Sequence, residues 1–384
     1  MPVTTTGVQY SGIWNLSSQA SAKALTTWPY PNVYLWSWGS NNAGQLGLGN
    51  TTNYSSPKQV GALTTWLNIA GGYYHSISTK TDGTLWAWGN NGSGRLGLGN
   101  TTNYSSPKQV GALTTWLRGS AGSASTGVIK TDGTLWTWGQ NIGGTLGLGN
   151  ETNYSSPKQV GALTTWSKIA VGGAYMLAIK TDGTLWGWGD NSFGQLGDGT
   201  ATSRSSPVQV GALTAWSKIS CGYYTSISTK TDGTLWAWGR NNYGQLGLGN
   251  TTYYSSPKQV GALTNWLGIS IAVSGSISMA TKTDNTLWSW GYNTYGTLGL
   301  LDFTNRSSPT QVAASTSWAS VGCGSFHALA ITTAGALWAI GGRNSEGQLG
   351  IGTTANYRSS PQQVGALTTW TSVVGGGYFT LSLQ

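Results

Sequence analysis

The chain has 384 residues, with 19 Lys and Arg against 10 Asp and Glu, a formal net charge of +9, yet only 8% of it is charged. Its 59 Gly, 22 Trp and 18 Tyr exclude a disordered chain, which is poor in aromatics and rich in net charge. No run of 18 apolar residues is present, so no membrane-spanning helix is expected.

Residues 1–33 stand apart from the rest of the chain. The stretch GVQYSGIWNLSSQASAKALTTWPYP opens on an aromatic cluster, and its Ala-, Ser- and Gln-rich part from Asn15 to Leu25 predicts a short helix stopped by Pro29 and Pro31. We expect this extension to cap or dock onto the remainder. The opening MPVTTTGVQYSG has neither a basic region nor an apolar run, so a secretory signal is not expected.

From residue 34 onward the motif LWxWG recurs, with Ile for the second Trp in the last copy. Its first Trp falls at Trp36, Trp86, Trp136, Trp186, Trp236, Trp288 and Trp338, a spacing of 50 residues broken once by 52. A fixed period of this size marks an array of supersecondary units that bury their faces on one another. One unit reads as four strands, WLNIAGG, HSISTK, TLWAWG and SSPKQV. Thr81-Asp82-Gly83 forms a tight hairpin between the second and third. The Pro of SSPKQV suits an outer edge, because it cannot donate to an inner ladder. Seven four-stranded antiparallel sheets around an axis make a single all-β, seven-bladed propeller over residues 34–384. The chain enters on third and fourth strands (Tyr34 to Gly39, Ser55 to Val60) and ends on first and second strands (Trp370 to Val374, Phe379 to Leu383). The two ends are therefore expected to complete one blade and close the ring.

The pattern GxxHS–KTDGTLWAWGxNxxGQLGLG–SPxxV resembles the regulator of chromosome condensation repeat over residues 34–384. That resemblance implies a seven-bladed propeller with strands shared between the first and last repeats. It does not transfer the founding member's exchange-factor activity, since no protruding wedge interrupts the regular blades. A light-sensing plant member carries its sensing Trp in the GxxH loop; here those loops hold Tyr73-Tyr74-His75, Ala174-Tyr175-Met176 and Tyr223-Tyr224-Thr225, so light sensing is not expected. The string YSGIWNLSSQ…A…WP in the N-terminal extension also resembles a segment of bacteriophage structural and tail proteins.

Chemistry-bearing residues are few. Asp82, Asp132, Asp182, Asp232 and Asp284 all occupy hairpin turns, and the other five carboxylates are scattered over different units. His75 and His327 sit at equivalent strand ends, and no nucleophile, zinc or phosphate-loop motif is present. We expect no enzyme, cofactor or metal. Cys221 and Cys323 are equivalent, five residues after Trp216 and Trp318, and should be buried thiols beyond disulfide reach. The Lys of SPKQV and of KTD recur once per unit and ring the molecule; a nucleic-acid footprint would be clustered, so nucleic acid is not an expected partner.

What varies between copies falls at one end of the strands. The first-to-second and third-to-fourth loops differ in every unit, whereas TDG and VGALTTW barely change. Loops on a rigid scaffold carry binding functions, and aromatic and Arg residues are the types enriched at binding hot spots. The candidate binding face is therefore Tyr73, Tyr74, Phe193, Arg240, Tyr243, Tyr292, Tyr295 and Arg343. With the phage-like segment, this predicts a non-enzymatic virion protein of tail, fibre or decoration type. Its partners would be a protein or glycan on a host surface, another virion protein, or a second copy of itself. The alternative is a cytoplasmic protein-interaction regulator (exchange-factor-like or a protein inhibitor) or a lectin.

Overall fold

The structure, a computed structural model, describes residues 32–313, 317–355 and 357–384. The helix expected over Asn15 to Leu25 lies outside the described residues. Seven sheets follow one another around an axis. Blade 1 is Trp66–Gly71, His75–Lys80, Leu85–Gly89 and Tyr104–Gln109, paired antiparallel in that order. Blades 2 to 6 begin at Trp116, Trp166, Trp216, Trp266 and Trp318. Blade 7 is built from both ends of the ring, in the order Tyr54–Gln59, Leu35–Gly39, Phe379–Leu383, Ser372–Gly375. Its closing ladder pairs Leu35 with Leu383 and runs without a shift to Gly39 with Phe379.

Each hairpin is written locally. Asp82 Oδ1 accepts from the Thr84 amide at 2.9 Å and from its hydroxyl at 2.6 Å, and Trp86 Nε1 donates to that hydroxyl at 2.9 Å. The same relay recurs at Asp132, Asp182, Asp232 and Asp284. An Asp that bonds its own backbone two residues on is an Asx-turn device, so these carboxylates are spent on the turn.

One blade departs from four clean strands. The outer strand of blade 6 is split into Tyr357–Arg358 and Gln362–Gln363, both pairing with Leu337–Arg343. The preceding loop is two residues longer than in the other blades, Trp338 pairing with Gln363 where Trp86 pairs with Gln109. Pro361 does not distinguish this blade, since the same Pro lies within the continuous outer strands of the others.

The core lies between blades. A typical cluster joins Leu85, Leu96 and Val110 of blade 1 to Trp116, Val128 and Trp138 of blade 2. Trp116 meets Trp136 and Trp138 edge-on, with centroids 6.2 and 6.1 Å apart. Such pairs add about 0.5–1.5 kcal/mol beyond the area they bury. The KTD lysine covers this aromatic corner: Lys130 Nζ lies 3.9 Å from the Trp136 centroid and 4.9 Å from that of Trp116. The repeated positive charge is therefore held on indole faces. Burial lowers the pKa of Lys130, against the pull of Asp132.

The GxLGLG loop fastens each blade to the next. Gly94 adopts φ +74°, and a Cβ there would stand 2.5 Å from Ser155 Cα on the outer strand of blade 2. Gly99 N donates to Ser155 O at 2.8 Å, and Trp138 Nε1 donates to Arg95 O at 2.9 Å. The cysteines stand free in different blades, as expected. Cys323 is buried, but Cys221 is partly exposed where its strand borders the central channel, which corrects the expectation that both are buried. Burial pushes both thiols up to about 12.

Candidate binding face

The first-to-second and third-to-fourth loops emerge together at one end of the ring. Asn90 N bonds Tyr74 O at 2.9 Å and Ser40 N bonds Tyr378 O at 2.8 Å, tying the two loops of a blade to each other. Within every third-to-fourth loop the second residue is a buried Asn that organises the turn. Asn41 Oδ1 accepts from Leu46 N at 2.9 Å and its Nδ2 donates to Asn50 O at 2.9 Å. The first, third and fourth loop residues are thereby freed to vary.

On this end the aromatic rings form a continuous chain. Tyr74 meets Tyr73 (4.6 Å between centroids), Tyr73 meets Tyr378 (5.9 Å), Tyr378 meets Phe326 (5.7 Å) and Phe326 meets Tyr295 (5.5 Å). Tyr295 stacks on Tyr357 at 5.2 Å and meets Tyr292 at 5.8 Å, and Tyr292 meets Tyr243 at 4.7 Å. Arg343 lies over Tyr378 at 5.7 Å. A second group gathers Phe193, Tyr223, Tyr224 and Tyr253, with Arg240 over Phe193 at 5.2 Å and over Tyr224 at 5.9 Å. A small cleft lined by Tyr224, Arg240, Tyr243 and Ser274 to Ser276 joins the two groups.

Seven of the eight residues expected from the sequence are half-buried and Tyr74 is exposed. Five of them, Tyr73, Tyr74, Tyr243, Tyr292 and Tyr295, lie in the continuous chain; Phe193 and Arg240 lie in the second group; Arg343 flanks the first. The sequence pattern does not single out Phe326, Tyr378, Tyr223, Tyr224, Tyr253 and Tyr357, which link the others. The arc is one-sided. Blade 2 offers Ser123, Ala124 and Ser125 in its first loop, and Tyr175 of blade 3 is fully buried, donating from its hydroxyl to Thr225 O at 2.7 Å.

Three of the phenols have their pKa values raised. Burial raises Tyr73, reinforced by its hydrogen bond to Tyr378; burial, then neighbouring Tyr223 and Asp190, raises Tyr224; burial, then Tyr292, raises Tyr295. The face presents aromatic planes, phenol hydroxyls and two guanidiniums.

Four of the scattered carboxylates are engaged. Asp198 pairs with Arg204 at 3.1 Å, and Asp302 pairs with Arg306. Glu346 accepts from Asn53 at 2.7 Å, and Asp190 accepts from Gln195 at 2.9 Å. Among the described residues, no three His, Cys, Asp or Glu are grouped to hold a metal, and no helix is long and apolar enough to cross a membrane.

The regulator of chromosome condensation (RCC1) repeat matches seven times, at residues 34–78, 82–129, 132–179, 182–228, 232–281, 284–331 and 334–383. The chain belongs to the RCC1 repeat family. Protein RCC2 of Mus musculus is 39% identical over 84 residues, which are 21% of this chain and 16% of that protein. The ultraviolet-B receptor UVR8 of Arabidopsis thaliana is 36% identical over 91 residues, 23% of this chain and 20% of the receptor. The aligned stretches thus span a fifth or less of these relatives' length. Among solved structures, Prp20p of Saccharomyces cerevisiae superimposes with a TM-score of 0.80 at 20% identity, covering 92% of this chain and 91% of Prp20p. Human WBSCR16 gives 0.80 at 20%, covering 92% and 98%. At that identity the likeness speaks for the fold.

These relatives are cellular proteins, and they correct two expectations. The virion role and virion location rested on a short segment outside the repeat. The family matches begin at residue 34 and extend to residue 383, so the far longer signal is that of a cellular propeller family. The phage resemblance of the N-terminal segment finds no support in any of these matches.

Proposed function

We propose that this protein is a non-enzymatic interaction propeller that binds a protein partner through the aromatic arc on its variable loop face. The observation that carries the reading is the continuity of the arc: rings from five blades touch in sequence, with Arg343 laid over Tyr378, and Arg240 lies over the adjoining group of Phe193 and Tyr224. Aromatic and Arg side chains dominate binding energy at protein interfaces. Rings already held by their neighbours lose little side-chain entropy on binding. Two solved structures of one relative, yeast Prp20, support a protein partner. The Prp20p structure is described with binding to Gsp1p and histones, and yeast RCC1 (Prp20) is described bound to Kap60.

The test places a photo-crosslinking amino acid at Tyr243 or Tyr74 on the arc, and at Thr81 or Thr131 on the opposite hairpin turns. The expected outcome is a defined adduct from the arc positions only. Combined R240A, Y243A and Y295A, with the crosslinker at Tyr74, should then remove the Tyr74 adduct while leaving the melting temperature intact. Each truncated hot-spot side chain is expected to cost roughly 1–4 kcal/mol of binding. Equal crosslinking from the hairpin positions, or an adduct that survives the triple variant, overturns the reading.

A further inference from the structure

The opposite mouth of the central channel carries an unbalanced charge. The first strands of all seven blades line the channel, which has a volume of about 290 Å³. Two residues after its leading Trp, each strand places a side chain at the end nearest the constant hairpins; Arg118, for instance, pairs with Ile129, next to the Lys130 turn. The seven occupants of this position are Asn68, Arg118, Lys168, Lys218, Gly268, Ser320 and Ser372. Three consecutive blades therefore bring three cations side by side, and the remaining blades bring no charge.

Arg118, Lys168 and Lys218, with Ile169, Ile219 and Ile269, line a recess of about 280 Å³ that shares those Ile residues with the channel wall. No carboxylate lines it, and none of the three cations belongs to the ion pairs of the described residues. Arg118 is exposed and both lysines are half-buried. Like charges held together without a counter-charge are mutually destabilising; Lys168 is lowered by burial first, then by Arg118 and Lys218. Nor does packing need the charges, since four copies fold with Asn, Gly or Ser in the same place.

The lysines are also aimed. Lys168 Nζ donates to Ser217 O, and Lys218 Nζ donates to Leu267 O at 2.6 Å, each bonding the next blade. An ammonium has three donors, so each lysine keeps two for a ligand, and the Arg118 fork adds a bidentate one. We infer that this channel mouth is a binding site for a diphosphate group, whose multiple oxygens and two to three negative charges match three adjacent cations. The site lies at the end of the ring opposite the aromatic arc and is independent of the function proposed for that arc.

The test titrates the full chain with inorganic pyrophosphate in low salt by calorimetry, with orthophosphate in parallel. Saturable binding of one pyrophosphate per chain, tighter than orthophosphate, is the expected result. R118Q, K168Q and K218Q should each weaken it about tenfold, the scale of one charge-assisted hydrogen bond. The control K58Q/K108Q/K158Q removes three charges from outer strands and should leave binding unchanged. Unchanged near-ultraviolet circular dichroism shows that each variant is folded. Absence of saturable binding, or equal loss in the outer-strand control, overturns the inference.

Discussion

Residues at one repeated position show how much a single side chain is asked to do. His75, Ser125, Tyr175, Thr225, Ile277, His327 and Phe379 open the second strands of the seven blades. His327 is fully buried, its Nε2 stands 3.0 Å from Thr380 Oγ1, and its Nδ1 has no partner. Burial lowers it to about 3, and burial, then the neighbouring Arg95, also lowers His75. An imidazole whose folded pKa lies below its unfolded value of about 6.5 adds nothing to pH dependence above that value. Below it the unfolded chain takes a proton that the folded chain refuses, so stability falls by about 1.4 kcal/mol per pH unit for His327 as pH drops from 6.5 toward 4.5. H327F, which copies the Phe379 of blade 7, should remove that slope. Urea midpoints at pH 7 and pH 5 measure it, and a slope unchanged in the variant contradicts the assignment. Both histidines were legible in the sequence as strand-end residues; the unpartnered nitrogens were not, because they depend on what the next blade brings across.

At the level of the element, two glycines of similar conformation separate backbone strain from packing. Gly94 in the blade-linking loop has φ +74° and sits against Ser155, whereas Gly111 after the outer strand has φ +62° with nothing within 4 Å of an added Cβ. G111A should cost about 1–2 kcal/mol, the left-handed penalty alone. G94A should cost clearly more, since the Cβ must also push back the outer strand of blade 2. Thermal melts of the two variants check the difference, and equal losses would mean that the loop does not fasten the blades. The turn chemistry of TDG was readable because Asp, Gly and Thr act on their immediate neighbours in the chain. The fastening role of GxLGLG was not, because the partner of Gly94 is Ser155, which belongs to the outer strand of the following blade. The arc likewise came out half-legible. Tyr243 and Tyr295 were visible as departures from the repeat. Tyr378 and Phe326 join the arc only because adjacent blades set their rings 5.7 Å from each other and Phe326 5.5 Å from Tyr295.

For the whole molecule, closure is the decisive feature. Blade 7 takes two strands from each end of the propeller, so neither end can bury its face alone. Deleting residues 370–384 should remove Leu381, Leu383 and Phe379 from the cluster around Trp66 and Trp88 and abolish the cooperative melt. An unaltered melting curve would refute closure as the source of stability. The period, the hairpin turns, the strand order and the family were all decided by sequence, because each depends on residues repeated in every unit or on contacts within one hairpin. Which varied loops meet, and that three cations from separate copies share one channel mouth, were decided only by the tertiary structure. Ring closure turns equivalent positions of successive copies into neighbours, and a pattern that is uniform along the chain becomes two chemically different ends around the axis.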